Sequence, residues 1–167
     1  MEVNILEMKF LKSFLKTLKE FIRRFSGSKT LNNTDTLARY LTSSSQFSEE
    51  KKRVKPTALM PLKNKRSGEF ETSLFNIESL SSKEVINLAR KNIIINLPAG
   101  RSIYGTGDTD ANSIHALGLI AAISEPPKKH LNIIGWPDEK SKRKQIAMEL
   151  AGKCKLSLFE QPIQKIA

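Results

Sequence analysis

The chain has 167 residues, 39% of them hydrophobic and 27% charged, and carries a formal net charge of +11. That length suits one core with an extension and strains two full domains. A single cysteine, Cys154, excludes an intramolecular disulfide framework and a cysteine-based zinc site, while the cationic excess favours approach to phosphate without conferring specificity.

No apolar run reaches the ~20 residues of a membrane span, and Met1-Glu2-Val3-Asn4 lacks the basic-then-apolar order of a secretion signal. A cytoplasmic location is therefore expected.

Between Ile5 and Phe25 the apolar residues Met8, Leu11, Phe14, Leu15, Leu18, Phe21, Ile22 and Phe25 recur at three- and four-residue steps. This spacing predicts a helix with Lys9, Lys12, Lys16, Lys19 and Arg23 on its other side. Such a helix can pack on its own domain, dock in a partner's groove or lie on an anionic membrane, the last being the least expected. Phe14, Leu18, Phe21 and Phe25 are the candidate partner-binding residues. The predicted organisation is a helical extension at 1–30, a linker at 31–36, a compact domain at 37–160 and a tail at 161–167.

Within the body, Leu37, Ala38 and Leu41 share a face if Asp35–Ser43 is helical, with Thr34 or Asp35 as cap. The run Thr57–Met60, bounded by Pro56 and Pro61, predicts a short or edge strand, hairpin-paired with Thr72–Ile77. Ser81-Ser82-Lys83-Glu84 is a capping-box pattern opening a helix to about Lys91. Ile93-Ile94-Ile95 predicts a β-branched strand, and Ile103 to Asp110 a short extended piece followed by a glycine loop. Ala111–Leu117 predicts a helix ended by Gly118, and Leu119–Ile123 is either a strand or its continuation. His130–Ile134 predicts a strand, Gly135-Trp136-Pro137-Asp138 a turn, Lys140–Lys153 a helix and Lys155–Phe159 a closing strand. The expected fold is α+β, or α/β, with a small mixed sheet and two or three packed helices.

Three segments together carry a resemblance: Leu37-Ala38-Arg39-Tyr40-Leu41 with Ser44 and Phe47; Arg53-Val54-Lys55-Pro56 with Ser73-Leu74-Phe75; and His130-Leu131-Asn132-Ile133-Ile134-Gly135-Trp136-Pro137. The chain resembles, over about Leu37 to Phe159, a family of small bacterial proteins with a His-x-Asn-Ile-x-Gly-Trp-Pro element and no established activity. The resemblance implies a compact domain of bacterial origin. It departs from the family pattern at Asn76, where an arginine would follow Ser-Leu-Phe.

The candidate site centres on His130. Imidazole as a group suits acid/base work, and Lys128 and Lys129 stand beside it for an anion, with Asn132 to orient a substrate. The plainer expectation is a histidine that opens a strand and bonds a neighbour. Trp136 is either a packing plug or a wall of the same hollow as His130. Arg39, Arg53, Lys55 and Arg101 complete the candidate ligand-binding set. Gly105-Thr106-Gly107 is a weak phosphate-loop signal, lacking the Lys-Ser/Thr of a P-loop. Asp108, Asp110 and Asn112 mimic a calcium loop, but Ser113 and Leu119 replace its glycine and glutamate, so Asp110 is read as a helix cap. With His115 in a helical stretch as the second of two histidines, no metal and no cofactor is expected.

Three functional classes follow. The first is a basic accessory protein that contacts nucleic acid or a phosphorylated ligand and docks a protein partner through its N-terminal helix. The second is an enzyme on a nucleotide or phosphoester, with His130 as acid/base and Lys129 or Arg101 stabilising charge. The third is a toxin, immunity or defence component acting by protein contact.

Overall fold

The computed structural model describes residues 31–165. The predicted amphipathic helix and its four candidate partner-binding residues lie outside them.

The body is α+β, built on one sheet whose strand order is β7-β8-β5-β1-β6-β9. These strands are β1 (Thr36–Leu41), β5 (Phe70–Asn76), β6 (Ser102–Asp110), β7 (Ile120–Ile123), β8 (His130–Ile134) and β9 (Lys155–Gln164). A short β4 (Leu62–Lys63) pairs with β5, and β2 (Phe47–Ser48) with β3 (Arg53–Val54) forms a separate ribbon. Every pairing among the described residues is antiparallel, which corrects the expected mixed sheet and favours α+β over α/β. The described helices are α1 (Ser82–Asn92), α2 (Ala111–His115) and α3 (Lys140–Lys153), none long and apolar enough to cross a membrane.

Helices cover both faces. On one, Leu37, Leu41, Leu74, Leu131 and Ile133 pack with Ala111 and Ile114 of α2 and Ala147, Leu150 and Ala151 of α3. On the other, Tyr40, Phe75, Ile103 and Ile163 pack against Val85 and Ala89 of α1. This explains the largest correction: Asp35–Ser43 is not helical, and β1 lies inside the sheet. A strand covered on both sides is apolar at successive positions, so Leu37, Ala38, Tyr40 and Leu41 imitate a helical pattern.

Other differences have local causes. Pro56–Ala58 is a 3-10 turn opened by proline, so the hairpin partner of β5 is Leu62–Lys63 and not Thr57–Met60. Ile94–Asn96 is a 3-10 turn that follows α1, not a strand. Gly105 and Gly107 sit inside the nine-residue β6, not in a phosphate loop. The capping box at Ser81 and Glu84 forms, Asp110 accepts from the Ser113 N–H at 2.6 Å, and Leu119–Ile123 resolves as β7. Residues assigned to the linker also join the body, where the buried Asp35 accepts from Asn76 Nδ2 at 3.0 Å.

Candidate functional site

β1 and β5 pair at Leu37–Asn76 and Ala38–Phe75 and then part. The next rung would join Arg39 to Leu74. Instead the Arg39 guanidinium enters the gap, its Nη1 donating to the Ser73 carbonyl at 3.0 Å and its Nε to the Ala58 carbonyl at 3.0 Å. Neutral acceptors thus hold a deeply set cation, and loss of water around it pulls its pKa below the usual guanidinium value. The ion pair among the described residues is Lys142–Glu139 on the surface, so no described carboxylate neutralises Arg39.

Beside Arg39 opens a cleft of about 480 Å³ lined by Tyr40, Ser73, Phe75 and His130 of the sheet. The end of α1 and its 3-10 extension supply Asn92, Ile93, Ile95 and Asn96, and the β7–β8 turn supplies Pro126 and Pro127. Burial, then the nearby Asp108, raises the Tyr40 phenol, which stays neutral and donates to the Val85 carbonyl at 2.8 Å. A smaller hollow of about 160 Å³ adjoins through Arg39 and Ser73 and adds Glu71 and Asn132.

His130 is held at both nitrogens. Nδ1 lies 2.9 Å from the Ser124 carbonyl, which can only accept, so Nδ1 carries a proton. In the neutral ring Nε2 is then an acceptor, 2.7 Å from the Ser73 hydroxyl. Phe75 packs its ring edgewise on the imidazole at 5.2 Å between centroids. Ser73 Oγ also lies 3.3 Å from Asn132 Oδ1, and Asn132 Nδ2 donates to Glu71 Oε2 at 3.0 Å, which fixes the amide's orientation. The register causes this assembly, since Ser73–Asn132 and Phe75–His130 are cross-strand neighbours of β5 and β8.

Of the residues predicted for the site, the structure brings Arg39, His130 and Asn132 together around Ser73. Trp136 does not join them. It is 7% exposed, belongs to the cluster on the opposite sheet face and donates Nε1–H to the Ile133 carbonyl at 3.1 Å, which corrects the expectation of a shared hollow. Arg53 is exposed on β3, Lys55 is half-buried before the Pro56 turn, and Arg101 is exposed just before β6. Lys128 is exposed and Lys129 half-buried in the β7–β8 turn; neither lines the cleft. Arg143 of α3 is buried with its guanidinium carbon 3.6 Å from the Phe70 ring centroid.

Sequence reasoning assigned no role to Ser73, Glu71 or Ser124. Ser73 stood inside a quoted motif, but only strand pairing shows its hydroxyl facing an imidazole 57 residues away. No group of three or more His, Cys, Asp or Glu side chains suited to a metal occurs among the described residues.

Together these features define a small antiparallel α+β protein with a polar cleft built on a split between two central strands. No family model, no curated protein and no solved structure matches the chain.

Proposed function

We propose that the chain is a binding protein for a small phosphorylated ligand, held in the cleft by Arg39. The observation that carries this reading is the uncompensated guanidinium beside an open cavity. A cation bonded to two neutral carbonyls retains N–H donors and most of its field, so an arriving anion recovers charge-assisted hydrogen bonds that the resting protein lacks. The walls formed by Phe75, Ile93, Ile95 and Pro127 suit an apolar part of the same molecule. A cleft of about 480 Å³ has small-molecule size, and favours such a ligand over a nucleic-acid duplex. In the same proposal, Phe14, Leu18, Phe21 and Phe25 dock a protein partner, a reading carried by their helical spacing alone.

Calorimetric titration with phenyl phosphate and with inorganic phosphate tests the ligand reading. Phenyl phosphate is expected to bind more tightly than phosphate, and Arg39→Met to weaken it by about tenfold or more, the loss of a charge-assisted hydrogen bond. Absence of binding, or equal affinity in Arg39→Met, refutes it.

A second reading, an enzyme with His130 as acid/base, is favoured by one observation: the Ser124 carbonyl fixes the tautomer that leaves Nε2 free to accept a proton.

A further inference from the structure

We infer that Ser73 is a nucleophile activated by His130, acting on a small carboxylic ester that bears an anionic group. The inference rests on the cleft and on the acid/base reading of His130, not on a preference for phosphate.

A serine hydroxyl is a weak nucleophile until a base accepts its proton. Here the base is at 2.7 Å, its acceptor nitrogen is set by the Nδ1 contact with the Ser124 carbonyl, and both groups line an open cavity. The Ser124 carbonyl plays the orienting part that a carboxylate plays in a triad. Asn132 competes for the same proton at a longer 3.3 Å, so with a neutral imidazole the hydroxyl points to Nε2. Donors available to an oxyanion here are the Ser73 N–H, which lies beyond the last β1–β5 rung, and the remaining N–H groups of Arg39, whose Nη1 already reaches the Ser73 carbonyl. Arg39 also attracts the anionic group of the substrate.

The step balances within the pair. The Ser73 Oγ proton passes to His130 Nε2 as Oγ bonds to the acyl carbon. The carbon–oxygen bond to the leaving alcohol then breaks, and that oxygen takes the proton from Nε2. Water adds to the acyl-serine, giving a proton to Nε2; the bond from carbon to Oγ breaks, and Oγ recovers that proton. The products are a carboxylic acid and an alcohol.

A small alkyl fluorophosphonate is the probe, incubated with the full chain and followed by intact mass and peptide mapping. One adduct, located on Ser73, is expected. It should be absent in Ser73→Ala and slowed about a hundredfold or more in His130→Ala, the usual contribution of a general base. Near-ultraviolet circular dichroism of the buried Trp136 confirms folding in each variant. No adduct on Ser73 in the unaltered chain, or equal labelling rates with and without His130, overturns the inference. The outcome is separable from the ligand reading: labelling without phenyl phosphate binding leaves the nucleophile standing, and binding without labelling removes it.

Discussion

His130 opens β8 and Trp136 follows its end, but they face opposite layers, the imidazole toward α1 and the cleft, the indole into the cluster shared with α2 and α3. Their roles therefore separate experimentally. Trp136→Ala removes a buried ring and an N–H bond to the Ile133 carbonyl, and should cost about 3–5 kcal/mol in urea unfolding. Trp136→Phe should recover most of that loss. A cost below about 1 kcal/mol for the alanine variant would show that the indole does not fill the core.

The two glycines of β6 should respond unequally to alanine. A Cβ at Gly105 would lie 2.3 Å from the Ser157 carbonyl oxygen and 2.7 Å from the Leu158 Cα, both backbone atoms of the neighbouring strand. At Gly107 the first obstacle is a Val54 methyl at 2.8 Å, on a side chain that can turn. Gly107→Ala should cost about 1–3 kcal/mol, as overpacking does, and Gly105→Ala more, because β9 itself must move. Thermal unfolding of the pair checks the order, and equal values would contradict it.

Cys154 should be chemically silent in the folded protein. Burial first, then Asp108, pushes its thiol up to about 12. At about pH 8 the thiolate fraction is then far below that of a free cysteine. Reaction with a disulfide reagent should run more than about a hundredfold slower than for a model thiol, and become fast on unfolding in guanidinium. Rapid reaction of the folded chain would contradict the burial.

The capping box of α1 gives a pH signature. The Ser81 hydroxyl donates to Glu84 at 2.7 Å and the Ser81 N–H at 2.8 Å, and together they hold the Glu84 carboxyl below its usual value. Because the folded value is the lower one, the stabilisation is complete above the unfolded carboxylate's pKa and disappears as pH falls through the folded value. Glu84→Gln, which keeps a neutral acceptor, should be less stable than the unaltered chain at neutral pH and equal to it in acid. Urea midpoints at about pH 7 and about pH 2 test this, and a gap that persists in acid would refute it. Ser81→Ala should cost about 1 kcal/mol at neutral pH, as loss of an N-cap does.

What the sequence determined by itself was mostly local. Ser81 and Glu84 announced the start of α1 because a capping box is written within four residues, and Lys140–Lys153 was legible as a helix that buries Ala147, Leu150 and Ala151. His130–Ile134 alternates as a half-exposed strand does, so β8 was readable as well. Thr36–Leu41 was not, because a strand covered on two faces loses its alternation, and only the layers on either side of it make it β1. The same limit applied to the cleft. Arg39, His130 and Asn132 were candidates by residue type, but the parting of β1 from β5 and the register that sets Phe75 opposite His130 and Ser73 opposite Asn132 are pairings between distant segments. Tertiary structure alone decided that Ser73 meets an imidazole, that Trp136 is sealed on the far side of the sheet, and that Arg39 forms no ion pair with a described carboxylate, since each depends on which strand lies beside which.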